Sequence, residues 1–221
     1  MERSRIAIII PALNEAATIG AVLARVKEYG FPIVVDDGSS DTTAELAREA
    51  GAEVVTHSQN QGYDAALNSG FTRAAALGCA YAITIDADGQ HNPAQLYDMI
   101  GHLDRGYELV LGVRDRHQRI GEVIFAYCAK RLWKISDPLC GMKGYSLDLY
   151  DKVGYFDSFE SIGSELAVRS RVNGCRCIEM RVITRDRLDA PRFGRKFAAN
   201  YKILRAMLVL MCWYAMNKLQ R

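Results

Sequence analysis

The sequence predicts an α/β fold built on a mostly parallel, doubly wound sheet flanked by helices. Three observations carry that expectation. Short apolar runs alternate with helix-length amphipathic segments through the first half of the chain, acidic clusters follow three of those runs, and no repeat or low-complexity tract interrupts the pattern. At 221 residues the chain is long enough to bury a sizeable core as one domain, or as one domain with a small extension.

The elements follow in order. Apolar runs at 5–10, 32–35, 53–56, 81–85 and 108–111 read as strands, and segments 16–29, 42–50, 63–77 and 94–105 between them read as helices. Asp41 and Asn92 stand where N-caps belong, with Pro93 at the first helical position. The late segment 203–216 is strongly apolar apart from Arg205, yet shorter than the ~20 residues a membrane-spanning helix needs. Lys196, Lys202, Lys218 and Arg221 flank it, with Trp213 and Tyr214 inside. It fits either a helix lying in a membrane interface or one packed on the core or on a second subunit of a homo-oligomer. The expected division is a catalytic domain over 1–196 and an apolar, basic C-terminal helix over 197–221.

Composition narrows the class. Charged residues make up 24% and the formal net charge is +2, which speaks against a globally basic nucleic-acid binder. The six cysteines form no Cys-x-x-Cys pair and no secretory signal precedes the first strand, so reduced thiols in a cytoplasmic protein are expected. Peripheral contact with the inner face of a membrane through the C-terminal helix is the open extension of that reading. Cys175 and Cys177 lack nearby metal-ligand partners and read as two positions of a strand.

In a sheet of this kind ligands bind beyond the carboxyl ends of the strands. There the first strand runs into Pro11-Ala12-Leu13-Asn14-Glu15, the second into Asp36-Asp37-Gly38-Ser39-Ser40-Asp41, and the fourth into Asp86-Ala87-Asp88-Gly89-Gln90-His91. The chain has neither Gly-x-Gly-x-x-Gly after its first strand nor a phosphate-binding loop ending in Gly-Lys-Ser/Thr, which argues against a nicotinamide enzyme or a P-loop ATPase. Where the fourth strand turns, Asp86, Asp88 and Gln90 can converge on one hard cation. Carboxylates after the second strand suit ribose hydroxyls or a base N–H, so the layout is that of a nucleoside-diphosphate site. Taken singly, Glu15 can also be read as a helix-dipole partner and Asp37-Gly38 as a tight turn.

In this order, Ile8-Ile9-Ile10-Pro11-Ala12-Leu13-Asn14-Glu15, Val34-Val35-Asp36-Asp37-Gly38-Ser39-Ser40-Asp41 and Ile85-Asp86-Ala87-Asp88-Gly89-Gln90-His91 resemble the family 2 glycosyltransferases with a GT-A fold, in particular the dolichyl-phosphate mannose synthase and polyprenyl-phosphate glycosyltransferase branch. Gly112-Val113-Arg114, Asp137-Pro138-Leu139-Cys140-Gly141-Met142-Lys143, and Ser164-Glu165-Leu166 with Arg176-Cys177-Ile178-Glu179 are similar to the family's later motifs. The resemblance implies a GT-A sheet and inverting, metal-dependent transfer from a nucleotide-sugar donor. Pro11, Leu13, Glu15 and Asp37 would line the nucleoside pocket. Asp86, Ala87, Asp88 and Gln90 would meet the diphosphate with its Mg²⁺ or Mn²⁺, Asp88 and Gln90 being the preferred ligands and Asp86 a third that also faces the ribose or sugar. Arg114 would bind phosphate, and Arg192 is the candidate for the late arginine that closes over it.

Whether a base is needed depends on the acceptor. A polyprenyl phosphate, with a second pKa of about 6, is ionised at neutral pH and attacks unaided, and this is the acceptor the resemblance favours. A glycan or small-molecule hydroxyl needs a carboxylate, for which Asp137 and Glu165 are candidates. Arg119 and Arg131 are the two candidates for a lipid-phosphate arginine, and His91 has no assigned role. A module that binds a nucleotide sugar without catalysis is the rival of another class.

Overall fold

The computed structural model describes residues 5–116, 119–184 and 196–219. Among the described residues seven strands and eight helices follow one another: β1 (Ile6–Ala12), α1 (Ile19–Val26), β2 (Phe31–Asp36), α2 (Thr43–Glu49), β3 (Glu53–Thr56), α3 (Tyr63–Ala76), β4 (Tyr81–Thr84), α4 (Gln95–Asp104), β5 (Leu109–Arg114), α5 (Ile120–Trp133), β6 (Lys143–Ser146), α6 (Leu147–Val153), α7 (Glu165–Val172), β7 (Cys177–Val182) and α8 (Lys196–Leu219). They form one sheet in the order β3-β2-β1-β4-β6-β5-β7. All neighbours run parallel except β6, which is antiparallel to both β4 and β5.

Both faces of the sheet are covered, which explains the unbroken apolar run of β1. Ile6, Ile8 and Ile10 join one core cluster with Ile19 and Leu23 of α1 and Leu96 and Met99 of α4. Ala7 and Ile9 join another with Phe71 of α3, Phe125 of α5, Leu166 of α7 and Leu210 of α8. Successive side chains of a strand point to opposite faces, so a strand buried on both reads as continuous apolar sequence.

The expected strands and helices of the first half are present with trimmed ends. The first helix begins at Ile19 rather than at 16, because Asn14 adopts φ 51° and residues 15–18 make a turn closed by Glu15 O. Asp41 stands one place before the N-cap Thr42, accepting from Thr43 N. Asn92 likewise precedes its helix, accepting from Ala94 N and Gln95 N. The reversed strand β6 is the element that the apolar pattern does not announce. Its Lys143-Gly144-Tyr145-Ser146 reads as loop, yet all four residues are buried between β4 and β5.

The apolar segment 203–216 lies inside α8, which runs alongside α5 in the same direction. Gly121 N donates to Asn200 Oδ1 near one end, and the Trp133 and Tyr214 rings meet edge to face at 6.2 Å near the other. Ile203, Ala206, Met207, Leu210 and Trp213 are buried, and Arg169 of α7 lies 4.4 Å over the Trp213 ring. This face of α8 is therefore continuous with the core of the sheet. No helix among the described residues is long and apolar enough to cross a membrane.

Candidate active site

The carboxyl ends of β1, β2 and β4 bring the three acidic clusters to one edge, where hydrogen bonds stitch them together. Asn14 N donates to Ser39 Oγ at 2.8 Å, and Asn14 Oδ1 accepts from Ser40 N at 2.8 Å. Glu15 N donates to Thr43 Oγ1 at 2.7 Å, while Glu15 Oε2 accepts from Thr18 Oγ1. Glu15 is buried, whereas Pro11 and Leu13 are half-buried at the rim.

The second cluster is joined to the third through the start of α3. Asp37 accepts from Gln61 N and from His57 Nδ1 on one oxygen and from Gly62 N on the other, at 2.7–2.8 Å. The next residue, Tyr63, donates its hydroxyl to Asp86 Oδ1 at 3.2 Å. Its neighbour Asp64 accepts from Gly163 N and Ile162 N, drawing in the loop before α7. Sequence reasoning expected Asp37 to contact the nucleoside. Its carboxylate holds the 57–62 segment, because three donors converge on a side chain that is almost wholly buried. Gly38 permits this closure: at φ 75°, an added Cβ would lie 2.6 Å from the Gln59 carbonyl carbon.

Asp86 sits at the centre of the edge. Tyr63 holds one oxygen, and His91 Nε2 lies 3.0 Å from the other. Burial pushes its carboxyl up, but the hydrogen bond and charge of His91, with Tyr63 and Arg114 behind them, outweigh burial and leave it below the ordinary carboxylate value. A Cβ on Gly141 would collide with the Asp86 carboxylate and force it to move. Burial, then the Asp86 charge, push the Tyr63 hydroxyl well up, keeping it a donor. Ala87 is buried, and Asp88 and Gln90 are half-buried on the turn through Gly89, where Gln90 N donates to Asp88 Oδ1 at 3.0 Å.

Among the described residues no group of three or more His, Cys, Asp or Glu side chains forms a ready cation cage. The oxygens of Asp88 and Gln90 nevertheless suit a hard ion that takes most of its ligands from phosphate and water. Asp86, expected as a third ligand, has an oxygen turned to each of Tyr63 and His91.

A second cluster lies at the end of β5. Arg114 Nε and Nη2 donate to Asp137 Oδ2 and Oδ1 at 2.8 and 3.0 Å, and Arg114 N adds a third bond at 3.1 Å. Glu122, 4% exposed, lies between Arg114 at 3.4 Å and Arg119 at 3.0 Å. Burial works against the Arg114 charge, but the hydrogen bonds and charge of Asp137 outweigh it and hold the guanidinium above its ordinary pKa. Lys143 is buried beside this cluster, with Nζ donating to Gly163 O at 2.7 Å. Burial pulls the Lys143 ammonium pKa down.

The two candidate bases do not stand open. Asp137 is held by the Arg114 fork, and Glu165 accepts from Ser158 N, Ser158 Oγ, Phe159 N and Arg169 Nε at 2.6–3.1 Å. In both, oxygen positions that a general base would turn to a substrate hydroxyl are already taken by donors of the protein. Of the two arginine candidates, Arg119 lies at the start of α5 beside Glu122. Arg131 is exposed twelve positions along the same helix, about 18 Å away at 1.5 Å per residue. Arg192 lies outside the described residues.

Residues 7–153 match the family model described as glycosyl transferase family 2. This chain belongs to that family. It is an enzyme of sugar transfer. An uncharacterised protein of Methanocaldococcus jannaschii is 28% identical over 92% of this chain and 91% of its own. A dolichyl-phosphate hexose transferase of Haloferax volcanii is 28% identical over 82% of this chain and 83% of its own. Glucosyl-3-phosphoglycerate synthase of Mycobacterium tuberculosis, solved with Mg²⁺ and uridine diphosphate, shares the fold with a TM-score of 0.75 at 23% identity, covering 94% of this chain and 79% of its own. The sheet with its reversed β6 is thus the GT-A sheet, as the resemblance implied.

Tyr63, His57, Asp64, Gly141 and Lys143 complete the edge, yet sequence reasoning did not single them out as site residues. Gly62-Tyr63-Asp64, at the start of a helix that follows a strand, was the available signal for two of them.

Proposed function

We propose that this glycosyltransferase moves a sugar, with inversion, from a nucleoside-diphosphate donor to the phosphate of a polyprenyl phosphate. The observation that carries the acceptor is the engagement of both candidate bases, Asp137 by Arg114 and Glu165 by Arg169 and the 158–159 backbone. A phosphate monoester with a second pKa of about 6 needs no base at neutral pH, whereas a sugar hydroxyl does. The name of the Haloferax relative points to the same acceptor class.

In this reading the nucleoside lies over Pro11, Leu13 and Glu15, on a floor held by Asp37. Asp88 and Gln90 would hold Mg²⁺ or Mn²⁺, which when bound would supply charge stabilisation for the diphosphate leaving group. Asp86, fixed by Tyr63 and His91, faces the donor's ribose or sugar and orients the anomeric carbon for attack from the opposite side. Arg114 holds Asp137 and Glu122 in place at the β5 edge, and Arg119 is placed to meet the acceptor phosphate at the start of α5. The division at 196–197 then separates a transfer domain from a helix that packs on it, with the outer side left for peripheral membrane contact.

Incubating the purified protein and Mg²⁺ or Mn²⁺ with a panel of nucleotide sugars tests this reading, with polyprenyl phosphate, a free glycan or phosphoglycerate as acceptor. Transfer to the polyprenyl phosphate is expected. Transfer confined to a hydroxyl acceptor contradicts the assignment, and donor binding with no transfer to any acceptor favours a binding module.

A further inference from the structure

We infer that the outer side of α5, together with the neighbouring α8, is a docking surface for an anionic lipid bilayer. The inference rests on the lipid-phosphate reading above and names the face that would present the site to its acceptor. Helix α5 is apolar on two sides. Phe125, Ala129 and Trp133 enter the core, yet Ile120, Val123, Ile124 and Tyr127 are 75%, 52%, 40% and 68% exposed. Their spacing of i, i+3, i+4 and i+7 places them in one stripe along the outer side. A helix anchored only by its inner face gains nothing from four large apolar side chains held in water, and a contiguous patch of this kind marks an interaction surface.

Charge selects the occupant. From Arg116 to Lys134 the sequence contains one acid, Glu122, and it is buried between Arg114 and Arg119. Arg116, Lys130, Arg131 and Lys134 are exposed at the two ends of the stripe. Residues 196–219 contain no Asp or Glu, and α8 also exposes Lys202, Tyr201 and Leu208. A second copy docking through this face would set cations of one chain against cations of the other. An anionic bilayer accepts both parts of the pattern, with the apolar stripe entering the acyl boundary and the flanking cations meeting headgroups. The exposed ring of Tyr127 suits the headgroup level. Because the stripe starts at Ile120, next to Arg119, a bilayer held there lies against the β5 edge of the candidate site.

The test is sedimentation of the full chain with vesicles of phosphatidylcholine and phosphatidylglycerol, compared with phosphatidylcholine alone. Binding to the anionic vesicles, weakened by added salt, is expected, and Val123→Ser with Tyr127→Ser lowers it by about tenfold or more. Both positions are more than half exposed, so thermal melting of the double variant should match that of the unchanged protein. No binding to anionic vesicles, or equal binding by the double variant, overturns the inference. So does a concentration-dependent dimer in analytical ultracentrifugation that the same substitutions dissolve. Sedimentation uses no donor or acceptor, so it reports on the face even if transfer to polyprenyl phosphate fails. That transfer, assayed in detergent, reports on the acceptor alone.

Discussion

The two halves of the candidate site are built by different physics. At the donor half, formed by the ends of β1, β2 and β4, single carboxylates and amides gather backbone N–H groups from nearby turns. Asn14 takes Ser40 N, Asp37 takes Gln61 N and Gly62 N, and Asp88 takes Gln90 N. At the acceptor half, beyond β5 and β6, buried side chains of opposite charge meet one another: Arg114 with Asp137 and Glu122, and Glu165 with Arg169. Local carboxylate-to-backbone bonds leave oxygens and geometry available for a ligand at small cost to the fold. Buried charge pairs hold shape, and removing one partner strands the other in a low-dielectric setting. The comparison therefore expects donor-side changes to affect catalysis more than stability and acceptor-side changes to do the reverse.

The largest effect is expected at Asp88. Asp88→Ala should lower transfer by about 10³-fold, on the scale of losing one preorganised electrostatic contact to the leaving group, with an unchanged melting temperature. Chelation by EDTA should give a similar loss, reversed by Mg²⁺ or Mn²⁺. A large fall in melting temperature for Asp88→Ala would erase the contrast between the halves. Next, Arg114→Ala leaves Asp137 and Glu122 without their shared cation, and should destabilise the protein by about 3–5 kcal/mol in a denaturant titration. If that variant were as stable as the unchanged chain, the acceptor half would not be held by its charges.

Smaller effects sharpen the boundary between the halves. Asp37→Ala removes the acceptor of Gln61 N and Gly62 N and should cost about 1–3 kcal/mol, with a raised KM for the donor as the 57–62 segment loosens. Steady-state kinetics in nucleotide sugar checks it, and a loss confined to kcat would contradict a pocket-shaping role. A further effect concerns pH at the junction of the halves. Burial, then the nearby Asp157 charge, raise the Asp64 carboxyl from 3.8 to about 7. A raised folded-state value favours the protonated native form, so the contribution of Asp64 to stability is fully present below about pH 4 and is lost as pH rises through about 7. Melting temperature should therefore decline between about pH 4 and 7, and Asp64→Asn should show a flatter profile over that range.

The same contrast explains what was legible in the sequence. Strand-end clusters such as Asp86-Ala87-Asp88 are written in consecutive residues, so both the sheet and the donor edge could be read from motifs and alternation. Arg114 and Asp137 are separated by 23 residues, and Lys143 reaches Gly163 across 20. Such partners leave no local period, and Asp137 and Glu165 read equally well as free bases until their donors are seen. Strand β6 was hidden for a related reason: its lysine, glycine and serine are buried through pairing on both sides, against their usual preference for surface and turn. Asp37 shows the converse limit. Its place at the edge was legible, but the contact it makes there depends on His57 and Gln61 arriving from β3.

The central claim is that the nucleophile arrives already ionised, so that no enzyme carboxylate serves as a base. The direct measurement is kcat/KM for polyprenyl phosphate as a function of pH, at saturating nucleotide sugar and metal ion. The account predicts a single rise following the acceptor phosphate, with a pKa of about 6, and a plateau above it. A rise that instead tracks an enzyme carboxylate, and that disappears in Glu165→Gln while the phosphate ionises as before, would contradict it.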